Sequence, residues 1–330
     1  MSRKISRRAF IKLVAGAAIT AIGLGALGYH LGWFGRKEPS LEREVKPNPY
    51  VKNGRSLVSI IKGHDVDKMV RTSVEAIGGI DKIVKPNSKV LIKPNVGFND
   101  INAVASPEVV RAVVELVQDA NPKEIIMAES GVRGYDTSDN FEATGIADVA
   151  KELNVDLINL DKTGKVVRVK TKGGKTLKEV KAFKQAYDAD VIICIPKLKR
   201  HSEATVTISL KNMMGIIPDD QKGRFHELNL HQCIADLNSV FRPNLVIVDA
   251  IEVMTVSGPR RGKMIPGNAI LASGDPVAVD VIAAEYLFKL EGHISPLKAA
   301  LNVAHIRLAA ELGVGTNDIS KIEVIERKVG

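Results

Sequence analysis

Val191-Ile192-Ile193-Cys194-Ile195 and Leu245-Val246-Ile247-Val248 are unbroken apolar runs rich in β-branched residues. A strand wetted on one face alternates apolar and polar side chains. A run with no polar position has to be covered on both faces, as in a parallel sheet between two layers of helices. Working outward from these two runs, further strands are expected at 57–62, 89–93, 124–128, 156–159, 269–272 and 322–325. Helical patterns fill the gaps, at 65–77, 146–153, 230–240 and 296–312. Ser106-Pro107-Glu108 supplies an N-cap and a first-turn proline ahead of the stripe Val109, Val110, Val113, Val114 and Val117. Asp275-Pro276 opens another helix through Ala278, Ile282 and Leu287. Alternating strands and helices define an α/β fold, doubly wound, with a mostly parallel sheet between helix layers. The stretch 166–180, with Gly173-Gly174 between two Lys/Val/Thr-rich arms, is expected as an inserted β-hairpin.

At 330 residues, with 45% hydrophobic and 26% charged side chains, the chain has ordinary globular composition, which excludes wholesale disorder. Aromatic content of 4% argues against base-stacking platforms. The net charge of +9 looks like a nucleic-acid signal, but Arg3, Lys4, Arg7, Arg8 and Lys12 stand in the first 34 residues without an acid. Setting them aside leaves +4, which argues against a nucleic-acid partner. The two cysteines, Cys194 and Cys233, are too few for a four-cysteine iron–sulfur cluster within the chain.

Ser6-Arg7-Arg8-Ala9-Phe10-Ile11-Lys12 precedes 22 residues, Leu13 to Phe34, that contain no Lys, Arg, Asp or Glu. A basic segment before an apolar one is an export signal. The Ser-Arg-Arg-x-Phe-Ile-Lys run resembles a twin-arginine signal, which implies the twin-arginine translocation machinery as a partner and an extracytoplasmic location. An ordinary membrane helix is the alternative, since about 20 apolar residues can span a bilayer. Ala26-Leu27-Gly28 only approximates a cleavage site, so a cleaved form and a membrane-anchored form both stay open. The expected organisation is a signal or anchor over 1–34, a charged and proline-bearing linker over 35–55, and one α/β domain over 56–330.

In open α/β sheets, ligands bind beyond the carboxyl ends of the strands. Polar groups gather there: Lys93 and Asn95 after one expected strand, Glu129 after a second, Lys197, Lys199 and His201 after a third, Asp249 after a fourth. Lys211 and Asn212 follow on a short expected helix. Lys222-Gly223-Arg224-Phe225-His226 and Ser257-Gly258-Pro259-Arg260-Arg261 supply basic, glycine-bearing loops. Such loops bind phosphate or carboxylate through lysine and arginine side chains and backbone N–H groups. The candidate roles follow. His201, Lys211 and Asp249 are catalytic candidates, with His201 as acid/base oriented by Asp249. Lys93, Asn95, Glu129, Lys197, Lys199, Asn212, Arg224 and Gly258 are binding candidates. His201, His226, Glu129 and Asp249 are candidate ligands should the cofactor be a metal ion. Neither a dinucleotide fingerprint nor a P-loop is present.

Leu91-Ile92-Lys93-Pro94-Asn95, Ser106-Pro107-Glu108-Val109-Val110, Pro196-Lys197-Leu198-Lys199-Arg200-His201, Ser209-Leu210-Lys211-Asn212-Met213-Met214-Gly215, Ser257-Gly258-Pro259 and Ala272-Ser273-Gly274-Asp275-Pro276 together resemble the domain of unknown function 362 family. The resemblance runs from about Leu57 to Leu287. It implies no settled activity. Many members carry ferredoxin-type modules and are described as iron–sulfur proteins; this chain lacks the cysteines for one. Two functions are consistent with these residues: an exported enzyme acting on an anionic small molecule or a metal-containing cofactor, and a non-catalytic cofactor-binding or accessory protein serving a separate redox partner. Replacing Arg7 and Arg8 together with lysine is expected to hold the protein in the cytoplasm, as read by cell fractionation; unchanged export would exclude the twin-arginine route.

Overall fold

The computed structural model describes residues 39–330 together with Arg7, Arg8, Lys12 and Val14. It divides into a unit of Met1–Pro39 and a unit of Ser40–Gly330. In the first, the four described residues are helical and exposed; the expected signal or anchor otherwise lies outside the described residues. Among the described residues no helix is long and apolar enough to cross a membrane.

The second unit is built on an eleven-stranded sheet. Its strands in chain order are β1 (Val51–Lys52), β2 (Arg55–Lys62), β3 (Lys89–Pro94), β4 (Glu124–Glu129) and β5 (Asp156–Asn159); a separate two-stranded sheet of β6 (Val166–Lys170) and β7 (Glu179–Phe183); then β8 (Val191–Ile195), β9 (Lys197–His201), β10 (Thr205–Thr207), β11 (Leu245–Thr255), β12 (Lys263–Ser273) and β13 (Ile322–Lys328). The spatial order is β1-β2-β12-β11-β8-β3-β4-β5, with β13 beside β2 and β9 between β10 and β11. The run β11-β8-β3-β4-β5 is parallel, whereas β12 is antiparallel to both β11 and β2. The sheet is therefore mostly parallel at its centre, with an antiparallel insertion where β11 and β12 form one long hairpin.

The unbroken apolar runs do what their composition dictates. Ile192 and Cys194 enter one core, while Val191, Ile193 and Ile195 enter the other; Val246 and Val248 divide from Leu245 and Ile247 in the same way. Successive side chains point to opposite faces, and helices cover both. Each such side chain taken fully out of water contributes about 1.5–3 kcal/mol. Helix Pro276–Leu290 is capped as expected, the Asp275 carboxylate accepting from the N–H groups of Val277 and Ala278, both at 3.0 Å. Helix Pro107–Asp119 is not. Ser106 stands at its N-cap position without capping it, and turns its N–H and hydroxyl to the Asp249 carboxylate instead.

Three expectations are corrected. The described part of the expected linker, 39–55, does not run free: Leu41 exchanges backbone hydrogen bonds with Arg168 and Lys170, Arg43 donates to the carbonyls of Ala189 and Val240, Tyr50 is fully buried, and β1 lies within it. Proline and charge do not forbid packing. The 296–312 pattern splits into two helices, Pro296–Leu301 and Ala304–Glu311. The hairpin pairs Val166 with Phe183 through to Lys170 with Glu179, so Gly173-Gly174 lies in a long connection rather than a two-residue turn. That connection is tethered by the buried Asp236 carboxylate, which accepts from the N–H groups of Lys175 (3.0 Å), Thr176 (2.8 Å) and Leu177 (2.7 Å). Asp236→Ala is expected to lower unfolding free energy by about 1–3 kcal/mol, the cost of stranding those donors, measured by urea denaturation; an unchanged midpoint would show that water replaces the tether.

Candidate functional site

The carboxyl edge of the parallel strands carries two buried ion pairs. At the end of β3, Lys93 Nζ meets Glu129 Oε2 of β4 at 2.6 Å. Along β9 and β11, Lys197 Nζ meets Asp249 Oδ2 at 3.1 Å, because the parallel register sets these two residues opposite each other. Lys93, Glu129 and Asp249 are further satisfied, whereas Asp249 is the one hydrogen-bond partner of the Lys197 ammonium among the described residues. Lys93 also donates to the Pro94 carbonyl and to Asn212 Oδ1. Glu129 accepts from the N–H groups of Val96 and Ser130. Burial pushes the Glu129 carboxyl above its ordinary range, with Lys93 pulling the other way. Asp249 accepts from Ser106 N–H and hydroxyl and from Ile251 N–H.

A cavity of about 290 Å³ opens at this edge. Asn95, Glu129, Lys199, His201, Lys211, Asn212 and His226 line it; Lys93, Lys197 and Asp249 are buried and do not. Asn212 reaches the cavity because helix Ser209–Asn212 folds back over the sheet edge. Asp280 holds the start of that helix, accepting from Ser209 N–H, Leu210 N–H and the Ser209 hydroxyl. Asn95 donates to Asn212 Oδ1 at 2.9 Å, so one amide joins the Lys93 network to the cavity wall.

Two expected site residues stand elsewhere. Arg224 is on the exposed face of helix Asp219–Leu228 and does not line the cavity. Gly258 does not line it either: a Cβ there would fall 1.9 Å from the Arg200 carbonyl oxygen, so the glycine serves the close passage of its loop over β9 and carries Pro259 to the rim. The expected Asp249–His201 relay is also corrected, since none of the Asp249 bonds goes to His201. Lys197–His201 is a strand, not a loop, so alternation and register, rather than proximity in sequence, decide which groups meet.

His201 accepts at Nδ1 from the N–H groups of Glu203 (3.2 Å) and Ala204 (3.1 Å). Burial, with Lys211 and Lys199 nearby, pushes it down to about 2. The ring is therefore neutral with its proton on Nε2, which makes it a hydrogen-bond donor rather than a base. The four candidate metal ligands are not brought together. Glu129 and Asp249 are held by lysines and His226 Nδ1 by Glu203 at 2.6 Å. Among the described residues no group of three or more His, Cys, Asp or Glu could hold a metal ion. Cys194 and Cys233 are free and buried, and burial raises both thiols, to about 12 and about 11.

The cations of the cavity differ in how far they are satisfied. Lys199 donates to the Ala103 carbonyl and lies over the Phe98 ring at 5.3 Å; burial, helped by Lys211 and Lys197, pushes it down to about 7. Lys222 is taken up by the Ser130 and Gly131 carbonyls, the Ser130 hydroxyl and Asp219. Lys211 has no hydrogen-bond or ion-pair partner among the described residues, and burial pushes it down to about 8. Lys222, Arg133 and Phe98 were not among the expected site residues. Pro218-Asp219-Asp220, a proline followed by two acids, is the helix-start signal that would have put Lys222 on a helix beside the cavity.

The chain is thus an α/β protein whose mostly parallel sheet is flanked by helices and carries a lysine-lined cavity at its carboxyl edge. The chain belongs to the family described as Domain of unknown function (DUF362), whose model matches residues 90–285. It is 30% identical over 246 residues to a thylakoid-associated protein of Synechocystis, covering 70% of this chain and 72% of that one. Among solved structures it is similar to a Thermotoga maritima protein (TM-score 0.41, 14% identity, 75% of this chain and 60% of the other). It is also similar to the lactate racemase apoprotein from Thermoanaerobacterium thermosaccharolyticum (TM-score 0.43, 12% identity, 68% and 56%). The chain thus spans less than two thirds of either solved relative.

Lys93→Met is expected to lower stability by about 3–5 kcal/mol, because it leaves the Glu129 charge buried and unpaired. Lys93→Met combined with Glu129→Leu should recover part of that loss; a double variant as unstable as the sum of the singles would show that the two residues act independently.

Proposed function

We propose that this protein binds a carboxylate- or phosphate-bearing small molecule in the cavity and serves proton transfer on it. The observation that carries this reading is Lys211, a cation facing the cavity with no protein partner. A buried ammonium with no direct partner, on which Glu203 and Glu129 act only at a distance, is costly, and a bound anion lowers that cost. Around it, His201 offers Nε2–H as a second donor. Lys199, near the middle of its titration at neutral pH, is the group that can accept or return a proton. The Asn95–Asn212 amides and the apolar Phe98, Met214 and Pro259 complete the walls.

The twin-arginine-like Ser6–Lys12 segment supports an extracytoplasmic site of action. The thylakoid association of a relative supports a location close to a membrane.

The test is calorimetric binding of acetate, succinate and inorganic phosphate to the full-length protein between pH 6 and 10. Lys211 holds an anion only when protonated. Affinity should therefore persist below about 8 and fall as pH rises through it, with the midpoint displaced upward by the bound anion. Lys211→Met should weaken binding about tenfold or more at pH 7. Affinity that is flat across this range and indifferent to Lys211→Met would overturn the reading.

A further inference from the structure

Lys211 is not the sole unsatisfied cation of the cavity. The Arg133 guanidinium, in the segment after β4, lines it and makes no hydrogen bond or ion pair among the described residues. It is exposed, whereas Lys211 is partly buried, so one cation stands toward solvent and the other within. The acids that could answer them are occupied: Glu129 by Lys93, Glu203 by His226, and Asp219 by Lys222.

The position of Arg133 rests on a specific residue. Gly223 lies in helix Asp219–Leu228, where a glycine costs about 1 kcal/mol relative to alanine. A Cβ at this position would fall 2.5 Å from Arg133 Nη1 and 3.3 Å from its Cζ. The guanidinium therefore lies close over the helix at Gly223, in space that a larger residue would share with it.

We infer that the ligand is an organic dianion, with one anionic group held by Lys211 within the cavity and the second held by Arg133 at its mouth. This rests on the anion-binding reading above and adds a substrate class to it. Phe98, Val132 and Met214 line the same cavity and offer apolar surface to a carbon chain. Arginine presents a planar fork that takes a carboxylate or a phosphate through two parallel bonds. Short dicarboxylates and phosphorylated carboxylic acids share this chemistry. Arg133 then sets specificity, by making a ligand with one charged end bind less tightly than a ligand with two.

The test compares butyrate, succinate, glutarate and 3-phosphoglycerate by calorimetry with the full-length protein at pH 7. At least one dianion should bind about tenfold or more tighter than butyrate. Preference for 3-phosphoglycerate identifies a phosphate at one end, and preference for succinate or glutarate identifies a dicarboxylate. Arg133→Gln should abolish the preference while leaving butyrate within about twofold. Equal affinity for butyrate and every dianion, or a preference that survives Arg133→Gln, would overturn the dianion inference and leave anion binding intact. Failure of all four to bind, or binding untouched by Lys211→Met, would overturn the underlying reading as well.

Discussion

The site depends on keeping charged lysines dry at one sheet edge. Moving an ammonium and a carboxylate out of water costs several kcal/mol for each ion, and the attraction between them offsets this only when their remaining hydrogen-bonding capacity is met. Lys93–Glu129 meets that condition through Pro94, Asn212, Val96 and Ser130; in Lys197–Asp249 the carboxylate meets it through Ser106 and Ile251, while the ammonium has Asp249 as its one partner among the described residues. The consequence reaches beyond the edge. Ser106 gives up the capping of its own helix to complete the Asp249 shell. Gly215 has to be glycine, since a Cβ there would meet Glu129 Oε1 at 1.8 Å. Sequence choices in three separate segments thus serve two ion pairs.

Those pairs also explain why some lysines of the cavity are satisfied and others are not. The parallel register of β9 and β11 delivers an acid to Lys197, and the neighbouring ends of β3 and β4 deliver one to Lys93. No strand end delivers an acid to Lys211, which comes from a helix folded over the edge, or to Arg133, which comes from a loop. Sheet geometry pairs the lysines at the strand ends and leaves Lys211 and Arg133 without a direct partner among the described residues.

Much of the sheet was legible because its signal is local: Val191–Ile195 and Leu245–Val248 admit no reading but burial on both faces, and parallel strands place their carboxyl ends on one side. That is why Lys93, Glu129, Lys197 and Asp249 fall at one edge. What sequence order could not supply was pairing across strands. Asp249 was matched with His201 as an acid with a histidine, whereas the register gave it to Lys197, and two backbone N–H groups had already fixed the tautomer of His201. Lys199 and His201 follow the expected strand in sequence, yet after Pro196 the chain resumes immediately as β9. Arg133 carried no motif at all. Its role emerges from Gly223, ninety residues later, and that contact is visible only in three dimensions.

The helix carrying Lys211 shows how little of the site is left to be ordered by a ligand. Asp280 fixes Ser209 and Leu210 from one side, Asn238 donates to the Leu210 carbonyl from another, and Asn212 is bonded to Asn95, Lys93 and the Cys194 sulfur. Only the aliphatic stem and ammonium of Lys211 stay free to move. On the proposed reading, an anion held by Lys211 orders that side chain, at about 0.5–1.5 kcal/mol, rather than a loop. Lys211 can relieve its burial in two ways: by losing its proton or by gaining an anion. Each opposes the other, so in that reading occupancy of the cavity and the protonation of Lys211 are a single coupled equilibrium. An anion would raise the proton affinity of the lysine that receives it, and a proton would be taken up whenever Lys211 was neutral beforehand.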